Sequence, residues 1–492
     1  MAKLEILNPL TGHLLHQLEN HSAESVSIAV SRAREAQKSW CAETPRERGK
    51  VLFRLHDLLL AEQDRMMDII QSETGKSRAH AFEEIAGSLA AIRYYAKHAP
   101  GLLKRKRTNS GVPWLIRTWE ERVPVGVVGV ITPWNYPLAL TMLDVIPALA
   151  AGNAVVQKAD NQTAQTTKFA AELANRAGVP SDAWQVVHGD PAKVGNALVD
   201  SVDYVAFTGS TATGRMVAER AARRLIGYSL ELGGKNPMIV MPEVSVASAV
   251  EQAIAAAFGN AGQLCVSIER VYVPIERIAE YEAEFKRQVA NLVVSSDRDF
   301  SADLGPLTSA NQVRRVADFV NEAVAGGGAL IAGGTPLPEL GPNFYAPTVL
   351  SRLPSDSRIL RDEVFGPLIC IVGYESLADA VRMANDTEYG LNASVLGPER
   401  AALAIASQLE AGSVNVNEGY RASMASIDSA MGGMKASGLG RRNGSGGLLR
   451  YTEVRTIGVA KTRPLGLPTR GKHYRRMAPL MNRLARVMKR VG

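Results

Sequence analysis

Between residues 123 and 232, short runs rich in valine and isoleucine alternate with stretches of helical spacing, and this alternation limits the possible folds more than any other feature. The runs at 125–131, 154–157, 184–188, 204–207 and 228–230 have the length and β-branched content of buried strands. The stretches between them, 138–150, 163–177, 192–199 and 213–222, repeat apolar residues every three or four positions. Strands alternating with helices across short loops form right-handed βαβ units and a parallel sheet. A second alternating series begins at Pro237, with strands expected at 238–241, 271–273, 346–350, 369–374, 393–396 and 413–416 and helices at 246–257 and 377–385. Two α/β domains are therefore expected. Ahead of them the first hundred residues read as helical, with helices over 22–40 and 46–73, the second started by Thr44-Pro45. Lys104-Arg-Lys-Arg107 and the polar/apolar alternation up to residue 124 read as a two-stranded insertion before the first parallel strand.

Several function classes are excluded at this level. No run of 18 or more apolar residues occurs, so no membrane-spanning segment is expected. The start, MAKLEILNPLTG, lacks the basic and apolar pattern of a secretory signal, which makes the cytoplasm the expected compartment. Three widely spaced cysteines, Cys41, Cys265 and Cys370, cannot build a disulfide framework or a zinc site, and no metal is expected. The net charge of +7 belongs to the last 32 residues, which hold ten lysines and arginines and no acid; the remainder carries 46 bases against 49 acids. A basic tail on a near-neutral body gives no reason to expect nucleic acid as a partner.

Three residues have the chemistry of a covalent active site. Cys265 ends Gly259-Asn-Ala-Gly-Gln-Leu-Cys265, where glycines at 259 and 262 permit a tight loop that presents the thiol beside its own backbone N–H. A thiolate suits attack on an aldehyde, because the adduct still carries a hydride to lose. Glu231 lies between two leucines at the end of a β-run and before Gly233-Gly234, a setting that desolvates a carboxylate and raises its pKa toward that of a base for neutral pH. Asn135, in Ile131-Thr-Pro-Trp-Asn-Tyr-Pro137, stands at the C-terminal end of the first parallel strand, where doubly wound sheets place their ligands, and its amide can donate to an oxyanion. No G-x-G-x-x-G follows that strand. The stronger phosphate signal is Phe207-Thr-Gly-Ser-Thr-Ala-Thr-Gly214, a strand end, a Gly/Ser/Thr turn and a helix start.

The order of these motifs resembles the aldehyde dehydrogenase superfamily. Pro-Trp-Asn-Tyr-Pro, a strand-end Lys158, Phe-Thr-Gly-Ser-Thr-x-x-Gly, Glu-Leu-Gly-Gly-Lys-Asn-Pro, Gly-Gln-x-Cys and Glu363-Val-Phe-Gly-Pro367 follow one another as they do in that family. Asn385, Tyr389-Gly-Leu391, residues 412–417 and Ser437-Gly-x-Gly440 extend the likeness to residues 5–460. The resemblance implies Cys265 as nucleophile, Glu231 as the base for the deacylating water, and Asn135 with the Cys265 N–H as oxyanion hole. It places Lys158 and position 161 (Asn161 here) at the adenosine ribose, Gly209 and Ser210 at the pyrophosphate, Trp134 along the cofactor cleft, and Glu363 and Phe365 at the nicotinamide ribose. It also implies a Rossmann-like cofactor domain (1–105 and 125–233, with 435–450 returning to it), a catalytic α/β domain (234–434) and bridging or oligomerisation elements (106–124 and 451–462) in a homodimer or homotetramer.

Departures from the family pattern carry the finer expectations. Where the family usually has Lys-Pro-x-Glu, this chain has Lys158-Ala-Asp-Asn161, so a neutral amide replaces the acid that accepts from the ribose hydroxyls. That change removes repulsion against a 2′-phosphate and leaves Lys158 as its counter-charge; NADP is expected, with NAD the alternative if Asp160 supplies the missing acid. The general texture resembles a divergent branch of succinate-semialdehyde dehydrogenases, yet Leu143 and Gly259 occupy the positions of two carboxylate-clamping arginines. Arg421 is the candidate replacement charge, a solvated loop arginine its plain reading, and a broad-range aldehyde dehydrogenase, including aromatic aldehydes, the alternative function. A CoA-acylating enzyme or a non-catalytic relative fits less well, since Glu231, Cys265 and Asn135 are all kept. Cys41 and Cys370 are expected to be inert packing residues. Beyond a linker at 463–472, Met477, Leu480, Met481, Leu484, Val487, Met488 and Val491 recur at helical spacing among basic residues, the pattern of a basic amphipathic helix of about four turns. Its apolar stripe either docks on the enzyme's own oligomer or meets an anionic membrane surface or acidic partner.

Overall fold

The computed structural model describes residues 3–110, 116–461 and 471–491. Strands Val127–Ile131, Ala154–Lys158, Trp184–Val187, Tyr204–Thr208 and Gly227–Glu231 run parallel, and a short antiparallel strand, Gly438–Leu439, closes the edge beside Gly227–Glu231. Helices Pro137–Ala150, Ala164–Ala177, Pro191–Ser201 and Thr211–Arg223 connect them. Because helices cover this sheet, its inner strands are buried and mostly apolar, as in the fully buried Val-Val-Gly-Val of residues 127–130. The chain builds outward from Val127–Ile131 in one direction through 154–158 and 184–187, then returns to build in the other through 204–208 and 227–231. The gap between the C-terminal ends of Val127–Ile131 and Tyr204–Thr208 is therefore a topological switch point, where the loops diverge and leave a crevice.

The second series forms a seven-stranded sheet in the order 329–332, 348–351, 368–374, 268–274, 236–240, 392–396 and 413–416, parallel except for the first pair. Helices Val246–Ala257 and Leu377–Asn385 match their sequence spacing to the residue. The apolar core between sheet and helices runs from Val250 and Ile254 through Tyr281, Phe285, Val316 and Phe319.

The N-terminal region differs from its sequence reading in two ways. Residues expected to be helical throughout begin with an antiparallel hairpin, Lys3–Leu7 paired with Leu14–Glu19. The single helix expected over 46–73 is two, Pro45–Ala61 and Gln63–Thr74, broken at Glu62, which leaves helical geometry with φ −100° and ψ 15°; its carboxylate meets Arg176 of the neighbouring helix at 3.0 Å. The start at Thr44 is as read: its hydroxyl and the Glu47 carboxylate form a reciprocal capping box.

Contacts divide the chain into two units, 1–102 with 124–452, and 103–123 with 453–492. The smaller unit is built on a three-stranded sheet, with Ile116–Pro124 between Lys106–Thr108 and Thr452–Ala460. The two-stranded insertion thus gains a third strand from the C-terminal segment. Helix Gly471–Val491 is 21 residues long, nearly two turns longer than expected, and continues through Pro479. Leu480, Met481 and Val487 are exposed on it. The linker expected at 463–472 lies mostly outside the described residues. No helix among the described residues is long and apolar enough to cross a membrane.

Arg48 shows how the N-terminal helices are locked to the rest of the larger unit. It is buried, and its guanidinium donates to the carbonyls of Ala150, at the end of helix Pro137–Ala150, and of Glu43, ahead of its own helix. These carbonyls are orphans of a helix end and of a turn, and no shorter side chain reaches both. Arg48→Met is expected to lower unfolding free energy by about 3 kcal/mol, the cost of buried acceptors left unpaired. The midpoint of urea unfolding checks this, with KM for the cofactor unchanged.

Candidate active site

The strand-end motifs meet at the switch point. A cavity of about 240 Å³ is lined by Trp134, Asn135, Gly209, Ser210, Glu231, Cys265, Glu363 and Phe365. These are eight of the ten residues singled out in the sequence. Lys158 and Asn161 are not in its lining. A larger cleft of about 780 Å³ around Arg270, Arg352 and Asp386 contains none of the ten, and its arginines are already paired with acids or backbone carbonyls.

Cys265 is presented by an unusual turn. Asn260, Ala261 and Gly262 are consecutive residues in the left-handed region, with φ of 51°, 52° and 72°. Such a run is costly for side-chain-bearing residues and persists only where surroundings enforce it. Here the enforcement is visible: Asn260 Nδ2 donates to the carbonyls of both Asn135 and Gln263, and the Gln263 amide oxygen accepts from Thr308 N. A Cβ at Gly262 would stand 1.9 Å from the carbonyl oxygen of Gly366. Only glycine lets the cysteine loop lie against the Glu363–Pro367 loop.

Asn135 is held with equal care. Its Nδ2 donates to Gln263 O at 2.9 Å, and its own carbonyl accepts from Lys76 Nζ at 2.6 Å. Lys76 is fully buried, ion-paired with Glu84 at 2.5 Å, and lies over the ring of Tyr136. Glu84 in turn accepts from the N–H groups of Leu138 and Ala139, the first turn of helix Pro137–Ala150. Neither Lys76 nor Glu84 was recognised from sequence, since both lie in a helical region some 50 residues away. The Glu363 loop has a matching brace: buried Glu269, paired with Lys235, accepts from the N–H groups of Val364 and Phe365. Phe365, at φ 61°, meets Trp134 edge to face at 5.6 Å.

The electrostatics divide the acid-base roles. Glu231 is 5% exposed and neither carboxylate oxygen has a hydrogen-bond partner among the described residues. Burial pushes its pKa up to about 7, against the pull of Arg442 and Arg450. Burial, and then the charges of Glu363 and Glu231, push the Cys265 thiol up to about 12, which favours the protonated thiol at rest. Glu363 is likewise raised to about 7, chiefly by burial and by Glu269, and accepts from Gly234 N at 2.9 Å. Cys370 is fully buried, with its thiol raised to about 12 by burial.

The residues present fit a dinucleotide. Ser210 caps helix Thr211–Arg223, whose first N–H groups face the crevice entrance, and Cβ atoms at Gly209 and Gly233 would meet the Phe207 ring and the Glu363 carboxylate, each at 2.7 Å. On the far side Lys158 ends its strand nearly buried, its ammonium pKa lowered by desolvation against the charges of Asp160 and Asp190. Asn161 is turned aside: its amide exchanges two hydrogen bonds with the backbone of Gly189. Asp160 caps its own turn by accepting from Gln162 N at 2.9 Å. Sequence reading passed over Gln312 and Arg315, which also line the cavity from helix Ala310–Ala325; three-residue spacing places them on one helix face but cannot say what that face meets.

The two positions of the family's carboxylate-clamping arginines carry no charge here. Arg421 is held by Glu83, with its Nη2 3.1 Å from Glu83 Oε1, and is absent from the cavity lining. Leu143 is buried, and a side chain at Gly259 would run into the Tyr420 hydroxyl at 2.8 Å.

A cysteine, a glutamate of raised pKa and a crevice at the switch point of a parallel sheet are the arrangement expected of a dinucleotide-dependent oxidoreductase. The chain belongs to the aldehyde dehydrogenase family, whose pattern matches residues 1–457. It is 48% identical over 459 residues to a Mycolicibacterium smegmatis protein named "Putative succinate-semialdehyde dehydrogenase (NADP+)", covering 93% of this chain and 89% of that one. It is 36% identical to the mitochondrial succinate-semialdehyde dehydrogenase of Oryza sativa, covering 92% and 86%. Its fold matches an NAD-dependent aldehyde dehydrogenase from Sinorhizobium meliloti with a TM-score of 0.91 at 31% identity, covering 95% and 93% of the two chains. An E. coli NADP dependent enzyme matches with a TM-score of 0.89 at 32% identity, covering 93% and 95%.

Because Gly262 has no room for a methyl, Gly262→Ala is expected to displace the nucleophile and lower kcat by roughly 100-fold, the cost of an ångström-scale misplacement. Cofactor affinity, measured by fluorescence titration, should stay within about twofold, since the helix 211–223 entrance is untouched.

Proposed function

We propose that the enzyme oxidises succinate semialdehyde to succinate, with NADP as the preferred cofactor, through a thioester on Cys265. The observation that carries the chemistry is the convergence of Cys265, Glu231 and Asn135 on one cavity. Glu231, half ionised near pH 7, takes the proton from the otherwise inert thiol as the sulfur attacks the aldehyde carbon. The oxyanion that develops is held by the second Asn135 amide hydrogen and the Cys265 N–H. Bound nicotinamide supplies the acceptor for the hydride that leaves this adduct. Glu231 gives up the thiol's proton to solvent, then deprotonates a water that attacks the thioester carbonyl, and returns that second proton to the departing sulfur, releasing the acid and restoring the thiol. The balance is one aldehyde, one oxidised cofactor and one water giving one acid, one reduced cofactor and a proton.

The substrate assignment rests on relatives that carry the succinate-semialdehyde dehydrogenase name, the cofactor assignment on those named for NADP and on Asn161 and Asp160 being held away from a ribose acid's role. NAD is the alternative cofactor, and a broad-range or aromatic aldehyde the alternative substrate, which the neutral positions Leu143 and Gly259 favour. The domain roles follow the two large sheets, residues 234–434 being catalytic. We further infer a cytoplasmic homodimer or homotetramer.

Cys265→Ala should abolish oxidation while leaving cofactor binding, and steady-state rates should rise with pH through about 7 as Glu231 ionises. In the wild type, kcat/KM for succinate semialdehyde should exceed that for butanal and benzaldehyde by at least ~10-fold. A benzaldehyde preference would replace the substrate assignment without touching the chemistry.

The basic helix is proposed to be separate from catalysis, since no site residue lies in it. Deleting residues 463–492 should leave kcat unchanged. Lost oligomerisation would assign the helix to docking on its own assembly; lost sedimentation with anionic liposomes at unchanged size would assign it to a membrane surface.

A further inference from the structure

Behind Glu231 lies a buried ionic cluster that the reaction as described does not use. Arg442 is 2% exposed and binds Asp144 in the middle of helix Pro137–Ala150, with Nε 3.2 Å from Oδ1 and Nη2 2.6 Å from Oδ2. The same Asp144 also takes Arg450 and, at 3.2 Å, the Tyr451 hydroxyl. Two guanidinium groups thus share a single carboxylate out of water, which leaves one positive charge unbalanced. Burying an unbalanced charge is expensive, and a protein retains it only where another group answers it.

The geometry indicates which group that is. Arg442 Nη2 makes a further hydrogen bond, 2.6 Å, to Thr208 Oγ1. Thr208 is the parallel-strand neighbour of Glu231, so their side chains leave the same face of the sheet. Both line the catalytic cavity. On the other side, Glu231 is paired in register with Gly438, only four residues before Arg442. The Glu231 carboxylate has no hydrogen-bond partner among the described residues and no direct ion pair with either arginine there; Arg442 acts on it through space.

We propose that Arg442 is a positioning residue for the base: anchored between Asp144 and Thr208, it supplies the fixed positive charge that keeps buried Glu231 ionised and ready to take a proton. The inference rests on Glu231 acting as the base. The charged and titratable groups that act on Glu231 are Arg442, Arg450 and Arg441 on the positive side, Asp144 on the negative side, and the Cys265 thiol and Tyr204 hydroxyl as neutral neighbours. Burial drives its pKa up, and Arg442 is the largest opposing charge. Taking a proton neutralises Glu231 and uncovers the cluster's excess charge, which favours handing the proton on. The base is thereby reset within each turnover.

The sign of the effect gives the test. The full-length enzyme is assayed at saturating aldehyde and cofactor, and the acid limb of the steady-state rate is followed against pH. Arg442→Gln removes the cation, so the limb should move up by roughly one pH unit; Arg442→Lys, which keeps the charge, should restore most of it. Asp144→Asn removes the opposing anion and should move the limb down. A role confined to packing would lower rates or melting temperature without moving the limb in opposite directions. A folded Arg442→Gln enzyme with an unmoved limb overturns the proposal. Should that variant fail to fold, Asp144→Asn decides, and an unmoved or raised limb there overturns it. Glu231→Gln serves as the separate check on the underlying reading: if it retains the wild-type limb, Glu231 is not the titrating base and the reading of the reaction fails first.

Discussion

The left-handed turn at Asn260–Gly262 is the constraint on which the rest of the site depends. It joins two loops that belong to different sheets. Asn260 Nδ2 reaches the carbonyls of Asn135 and Gln263 at once, and Asn135 Nδ2 answers on the same Gln263 carbonyl. Two hydrogen bonds therefore fix the Cys265 loop to the turn bearing the proposed oxyanion donor, and a third holds the loop on itself. The turn is possible only because Gly262 packs directly on the carbonyl of Gly366. That contact also sets how near the Glu363–Pro367 loop comes to the sulfur. Strain in the backbone has become position in the site, which is the usual reason such conformations persist.

Two buried ion pairs support this junction in the same way. Lys76–Glu84 grips the Asn135 carbonyl and the start of helix Pro137–Ala150; Lys235–Glu269 grips the N–H groups of Val364 and Phe365. Neither pair is a good source of stability, since desolvation offsets most of the Coulomb attraction. What they supply is backbone donors and acceptors in places where no regular secondary structure can satisfy them. Glu231 makes the contrast plain. It is as deeply placed as these acids, yet both its oxygens are left open. A carboxylate spent on backbone N–H groups would be too acidic to serve as a base near neutrality, and one without any counter-charge would ionise only at higher pH. The cluster around Asp144, Arg442 and Arg450 lies between those extremes.

Local chemistry determined much of this protein by itself. Val/Ile runs separated by helical spacing specified the parallel sheets, because side-chain period and β-branching act over a few residues. Thr44 with Glu47 specified a helix start, and the order of short motifs pointed to eight residues that the structure gathers in one cavity. Each of those signals lies within one stretch of chain. Tertiary structure alone decided what depended on distant partners. The third strand of the small sheet comes from residue 452 onward, Glu62 at the helix break meets Arg176, and Arg421 is held on Glu83, 338 positions away. Lys76, Glu84, Asp144 and Arg442 are unremarkable in sequence, because a buried charge is recognisable only by the partner that balances it, and that partner is brought near by the fold.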